Sequence, residues 1–440
     1  MRKIALISEH ASPLATLGGT DSGGQNVYVA HLARQLARLG FEVDVFTRRD
    51  SPAQPQVVEW VPQVRVINVP VGPARFIAKE LMLPFMNDFG RYMLRFLRRE
   101  RLRYDVVHAN FFMSGIVAQT IQEELGTPFV MTFHALGRVR RQCQGQADGF
   151  PDIRFAIEER LMRQADRIVA ECPQDKADMV MMYGADPARI DVVPCGFDPE
   201  EFSPVSTNAR ETLGLADDDF VLLQLGRMVP RKGVDNVITA LSRLKFKLGI
   251  KARLLVVGGN AVTPDPETTP ELGRLMQLAR ELRVEDEITF TGQRPREQLR
   301  YYYSAADVFC TTPWYEPFGI TPVEAMACGT PVIGTNVGGI KSTVVDGQTG
   351  FLVNPNDPDM LAEKLALLHQ HPRMAQQFGW AGMRRAYQSY TWSTVAEQVA
   401  AVYELAAGVP ASTAEVFTLP AVSQSPSSPD EAPEWNQAAG

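Results

Sequence analysis

Short apolar runs alternate with segments of helical periodicity along nearly the whole chain, and the alternation starts twice. The first series opens with Lys3 to Ser8, passes through a loop rich in Gly, Thr, Asp and Ser that ends at Gly23-Gly24, and continues with Val29, Leu32, Ala33 and Leu36 at helical spacing before the run Phe41 to Thr47. Strand, loop, helix, strand is a βαβ unit, and such units build a parallel sheet with helices on its faces. Further strands are expected at Val64 to Val69, Val106 to Ala109, Phe129 to Phe133, Arg167 to Ala170 and Ile190 to Val193. Phe197 to Leu215, with Pro199 and Pro204, interrupts the pattern as a hinge. The second series then predicts strands at Phe220 to Leu225, Arg253 to Val257, Ile288 to Thr291, Asp307 to Thr311 and Pro331 to Thr335, with helices at Val234 to Leu244, Pro270 to Leu282, Glu297 to Ala305, Thr321 to Cys328 and Asp359 to Gln370.

The fold class that follows is α/β: two doubly wound, Rossmann-like domains whose strand-end loops face one central cleft, where open sheets of this kind bind ligands. The expected divisions are an N-terminal domain over residues 1–196, a C-terminal domain over 197–379, a helical segment over 380–407 that packs back toward the first domain, and a disordered tail over 408–440 rich in Ala, Pro, Ser and Glu. A formal charge of −7 argues against bulk attraction to nucleic acid or anionic lipid. Five widely spaced cysteines, with no C-x-x-C pair, suggest neither a disulfide framework nor a zinc site, and point to a reducing compartment. MRKIALIS reads as a first strand and not as a secretion signal, and no apolar stretch reaches the ~18 residues of a membrane helix, so a cytoplasmic protein is expected. Phe85 to Arg103 has an apolar and an arginine face; a packed helix of the fold is expected there, a lipid-binding one being the alternative.

Chemistry-bearing residues fall in the strand-end loops. Glu316, in Glu316-Pro317-Phe318-Gly319, follows a strand, and Glu324 lies in the first turn of the next helix, so both carboxylates can reach the cleft and accept from vicinal hydroxyls. The N–H groups of Phe318, Gly319 and Ile320 stand at a helix start and suit a phosphate or sugar oxygen. Gly226-Arg227-Met228-Val229-Pro230-Arg231-Lys232-Gly233 places cations directly after a strand, where Arg227 and Lys232 can neutralise a diphosphate. No D-x-D stands between a strand and a turn in the expected context, and Asp217-Asp218-Asp219 reads as a solvated turn, so no metal and no other cofactor is expected. In the first half, Asp21-Ser22-Gly23-Gly24-Gln25-Asn26 joins a strand to a helix without G-x-G-x-x-G spacing, which weakens a dehydrogenase reading. His134 ends the strand Phe129 to Phe133, and His108 is a weaker candidate of the same kind.

The run Tyr315 to Gly329 resembles the E-x7-E signature of glycosyltransferase family 4, and the resemblance extends over residues ~1–407. It implies the GT-B fold and a retaining, metal-independent transfer of a sugar from a nucleotide diphosphate. Glu324 would hold the ribose diol and Glu316 the donor sugar, and Arg227 with Lys232 matches the family's G-R-x4-K-G diphosphate clamp. Gly24, Phe318, Gly319, Ile320 and Arg294 join these on the donor side. His134 matches a histidine that contacts the donor sugar, although Ala135 replaces the usual serine beside it. Gln25, Lys79, Arg140 and Arg154 are the implied acceptor contacts: Gln25 lies in a loop that resembles the D-x-G-G-Q of relatives using sugar phosphates, and Lys79 and Arg140, with Arg154, resemble the fructose-6-phosphate site of sucrose-phosphate synthases. UDP-glucose and fructose 6-phosphate are therefore the expected partners, and with no phosphatase-like domain in the chain a separate phosphatase would act on the product. Other sugar or cyclitol phosphates, a lipid acceptor, or nucleotide-sugar binding without catalysis are the alternatives.

Overall fold

The structure, a computed structural model, describes residues 2–15, 23–205 and 208–408. The expected disordered tail beyond residue 408 lies outside the described residues, as do Asp21 and Ser22 of the glycine-rich loop. Strands are numbered in chain order: β1 (Lys3–Ile7), β2 (Glu42–Arg48), β3 (Val57–Val61), β4 (Val64–Val69), β5 (Val106–Asn110), β6 (Phe129–Thr132), β7 (Arg167–Ala170), β8 (Ile190–Val192), β9 (Val221–Leu225), β10 (Arg253–Val257), β11 (Ile288–Gly292), β12 (Val308–Thr311), β13 (Val332–Thr335) and β14 (Gly350–Val353).

They form two sheets. The first runs β3-β4-β2-β1-β5-β6-β7-β8 and the second β11-β10-β9-β12-β13-β14. Every pairing is parallel except β3 with β4. The central strands, such as VVHAN at β5 and VLLQL at β9, are buried along their whole length because helices cover both faces. In each sheet the chain winds outward in one direction and then returns to wind in the other. The reversals fall between β1 and β5 and between β9 and β12, and the crevices at those switch points are the ligand positions of an open α/β sheet.

Two strands escaped the sequence pattern. β3 is an antiparallel edge with no fully buried residue, and β14 is a four-residue run between turns, so neither shows the buried-strand signature. The expected continuous helix near Trp380 to Ala407 is two helices, Pro372–Ser389 and Trp392–Ala406, separated at Tyr390-Thr391, where the Thr391 hydroxyl accepts from the Thr394 N–H at 3.2 Å and caps the second. That second helix returns to the first domain: Trp392 packs edge-on to Tyr28 at 5.7 Å, and the Tyr403 hydroxyl meets His108 Nδ1 at 2.8 Å. The two chain crossings lie side by side, Phe197 N–H donating to Tyr390 O at 2.8 Å and Trp392 N–H to Phe197 O at 3.0 Å. The amphipathic segment forms the helix Met86–Glu100, and its apolar face (Phe89, Met93, Phe96, Leu97) is buried within the first domain. Among the described residues no helix is long and apolar enough to cross a membrane.

Candidate active site

A cavity of about 310 Å³ lies between the domains, at both switch points. The second domain contributes Gly226, Arg227, Arg231 and Lys232 after β9, and Tyr315 to Thr321 after β12. The first contributes His10, Gly24 and Gln25 after β1, Phe111 after β5, His134 and Ala135 after β6, together with Lys79 and Arg140. Of the residues expected from sequence, Gly24, Gln25, Lys79, His134, Arg140, Arg227, Lys232, Glu316, Phe318, Gly319 and Ile320 line this one space.

The electrostatic centre is Glu316. Lys232 Nζ donates to its Oε2, which also lies 3.4 Å from Arg231 Nη1, and the same Nη1 donates to the Tyr315 carbonyl at 2.9 Å. Burial opposes ionisation of the carboxyl, but Lys232, Arg231 and Arg227 overcome that penalty and hold its pKa down at about 2. Burial also pushes Lys232 below the ordinary lysine value; Glu316 pulls it back up, and Arg231 and Arg227 depress it further. One carboxylate is thus outnumbered by the cations around it, which suits an arriving polyanion. The helix Ile320–Ala327 starts at the same point, and Gly319, Ile320 and Thr321 bring its first N–H groups to the cavity wall.

The Glu316 loop is held from behind by Gly338, whose φ is +47°. A Cβ there would overlap the Glu316 carbonyl oxygen. Gly338→Ala therefore meets both an unfavourable backbone conformation and a backbone clash, and is expected to cost at least about 2 kcal/mol in urea unfolding. Wild-type stability in this variant would show that the loop can shift freely.

On the first-domain wall, His134 has φ +58° and Phe111 φ +82°, left-handed conformations that non-glycine residues seldom adopt and that cluster at functional sites. His134 Nδ1 lies 2.8 Å from Glu171 Oε1 and Nε2 3.1 Å from Asn110 Oδ1, which fix the ring's orientation, and Tyr28 packs edge-on at 4.9 Å. Gln25 Nε2 donates to Ser8 Oγ at 3.1 Å and to Asn110 O at 3.2 Å. Arg140 donates to Asp148 at 2.6 Å. Lys79 stands on a 3-10 turn, Lys79–Leu81. His10 was missed by sequence reasoning: its Nδ1 is tied to the buried Glu9 at 2.7 Å. Its position directly after the first strand was the available signal, as it was for Phe111 after β5.

Four candidates sit elsewhere. Arg154, expected among the acceptor contacts, is fully buried behind the wall, donating to Glu158 at 2.6 Å and to the Ala135 carbonyl, with Phe111, Phe112 and Phe150 within 4.9 Å of its guanidinium carbon. Its place in the chain, one turn before Glu158 on a helix, makes it a buried structural ion pair that supports Ala135 and Phe111. His108 is wholly buried, between Tyr403 and Thr132 Oγ1 at 2.8 Å each. Arg294 donates to the Tyr302 hydroxyl at 3.1 Å and the Val262 carbonyl at 2.9 Å, outside the cavity lining. Glu324 is 2% exposed and also outside that lining, with Tyr303 Oη donating to Oε2 at 2.9 Å and Arg296 Nη2 3.0 Å from Oε1.

Among the described residues no group of three or more His, Cys, Asp and Glu is arranged to hold a metal ion. Residues 22–201 match the family described as Glycosyltransferase Family 4, and residues 205–385 match Glycosyl transferases group 1. A D-inositol 3-phosphate glycosyltransferase of Kribbella flavida is 37% identical over 92% of this chain and 96% of its own length, and one of Corynebacterium efficiens is 35% identical over 91% and 95%. Among solved structures, a sucrose-phosphate synthase of Thermosynechococcus elongatus superposes with a TM-score of 0.83 at 33% identity, covering 92% of this chain and 98% of that one. Anabaena HepE, solved with UDP and glucose, shares the fold at a TM-score of 0.68 and 20% identity, over 91% and 98%. With two facing Rossmann-like domains, a cationic cleft at both switch points and relatives of this similarity along nearly its full length, the chain belongs to the nucleotide-sugar glycosyltransferases of the GT-B type, in group 1 and family 4.

Proposed function

We propose that this protein is a retaining hexosyltransferase that moves glucose from UDP-glucose to fructose 6-phosphate, giving sucrose 6-phosphate, without a metal. The observation that carries the reading is one cleft with two cationic walls: Arg227, Arg231 and Lys232 on the second domain, Lys79 and Arg140 on the first. The former suit the donor diphosphate and the latter an acceptor phosphate. In this reading Glu316 contacts the donor sugar and Glu324, from behind the cavity lining, its ribose. His134 and Gly24 lie against the sugar and phosphate, and Gln25 meets the acceptor.

In the reaction the bond from the anomeric carbon to the diphosphate oxygen breaks, and the acceptor hydroxyl adds on the same face. Its proton passes to the departing diphosphate oxygen, whose growing charge Arg227 and Lys232 stabilise. Five cysteines without a disulfide fit a reducing cytoplasm, and a separate phosphatase would then complete sucrose formation. A second reading, transfer to D-inositol 3-phosphate, is favoured by the names of the curated relatives.

Nucleotide release from UDP-, ADP- and GDP-glucose, each with fructose 6-phosphate or D-inositol 3-phosphate and with EDTA throughout, tests the proposal. Release that needs fructose 6-phosphate and survives EDTA supports it; release with the inositol phosphate alone transfers it to the second acceptor. Loss of activity in EDTA overturns the metal-free mechanism. Lys79→Ala should raise acceptor KM at least about tenfold while leaving nucleotide affinity within about twofold, because the lost charge lies on the acceptor wall.

A further inference from the structure

Glu324 is shielded from water, yet its partners do not hold it equally. Tyr303 makes an aligned hydrogen bond at 2.9 Å, whereas Arg296 Nη2 lies 3.0 Å from Oε1 without hydrogen-bond alignment. The guanidinium is drawn the other way. Its Nε donates to Glu201 at 2.5 Å, and the Phe202 ring lies 4.7 Å from its central carbon. Glu201 and Phe202 belong to the connection between the two sheets, just after Phe197, which pairs with the returning crossing at Thr391.

The other ion-pair partner of Glu201 among the described residues, His31, does not replace Arg296. His31, on the first-domain helix Gly24–Arg38, approaches no closer than 3.8 Å to Glu201 and 3.7 Å to Asp198, beyond hydrogen-bond reach. Its ring stacks on Trp392 at 5.3 Å, and burial, reinforced by Arg296, holds its pKa down at about 3, so it is uncharged near neutrality. One guanidinium is therefore shared between a hinge carboxylate and the carboxylate of the E-x7-E signature.

We propose that Glu201 and Arg296 are positioning residues that couple the interdomain connection to the donor site: Glu201 holds Arg296 off full alignment with Glu324, which keeps that carboxylate able to accept from the donor's ribose hydroxyls. The inference rests on the reading of Glu324 as the ribose contact. Without the Glu201 charge, Arg296 turns onto Glu324 in an aligned, charge-assisted pair and competes with the ribose.

Calorimetric binding of UDP, ADP and GDP, each beside its 2′-deoxy counterpart, is the test. Wild type should prefer the ribonucleotide it binds best over the deoxy form by about tenfold, the worth of a hydrogen bond to a charged group. In Glu201→Gln that preference should fall to within about twofold, with affinity for the deoxynucleotide unchanged, a pattern that loss of structure alone would not produce. No preference in wild type, or no binding of any of the three, overturns the Glu324 reading. Full preference in wild type that persists in Glu201→Gln overturns the coupling while leaving Glu324 in place. Should Glu201→Gln fail to fold, Glu201→Asp, whose shorter side chain withdraws the carboxylate from Arg296 Nε and leaves the guanidinium in place, is read by the same criterion.

Discussion

Lys232→Met lowers kcat by about 10²–10³-fold and changes donor KM by less than about tenfold. The side chain is half-buried beside Glu316 and pinned by it, so its charge is fixed in place before any ligand arrives. A preorganised cation contributes most where negative charge grows, which in the proposed reaction is the departing diphosphate oxygen. Nucleotide release at saturating donor measures the effect; a large rise in KM with kcat intact would make Lys232 a binding residue only. Its lowered pKa adds a second signature. The ammonium is present at low pH and is lost as pH rises, earlier than for an ordinary lysine. A bound diphosphate adds negative charge beside it and raises the pKa, so the alkaline limb of kcat/KM, which reports free enzyme, should lie at lower pH than that of kcat.

Which parts of this site can be read from the chain follows from how local they are. Glu316, Lys232 and His134 each follow a parallel strand in its strand-end connection, and Gln25 stands in the first turn of the helix that follows β1; topology alone brings such segments together. Five of the six strands of the second sheet were legible because runs such as LLVV of β10 are buried on both faces; β14 was not. Arg154 was misread because a cation near the strand-end loop gives no sign of which way its helix turns. Only the packed structure shows it directed at Glu158 and three phenylalanines, with nowhere to meet a phosphate directly. Glu324 was legible as the second carboxylate of the E-x7-E pattern but not as a shared one. Its link through Arg296 to Glu201 joins positions 123 residues apart in sequence, and no periodicity encodes such a contact. β3 was lost to the opposite cause, since a half-buried antiparallel edge lacks the apolar signal of its neighbours.

Glu316→Gln should cost about 3 kcal/mol of folding stability near neutral pH, and a nucleotide diphosphate should restore more of it than the same ligand adds to wild type. Removing one partner of an ion pair largely withdrawn from water, here with side chains 15% and 12% exposed, leaves the other charge uncompensated, which is the expensive way to break it. Here the abandoned partner is a cluster: Lys232 with Arg231 beside it and Arg227 close enough to act on both. A diphosphate supplies the missing negative charge, so the melting temperature of the variant should climb more steeply with added UDP. The sign of the pH dependence separates this account from simple misfolding. Because the folded-state pKa of Glu316 is depressed to about 2, its contribution is fully present above the ordinary carboxylate range and is lost as pH falls through that value. The gap between wild type and Glu316→Gln in urea unfolding should therefore be constant from about pH 7 to 5 and narrow as pH falls from about 5 toward 2. A gap that stays open across that range would mean the glutamine had disturbed the loop's packing against Gly338 and not the balance of charge.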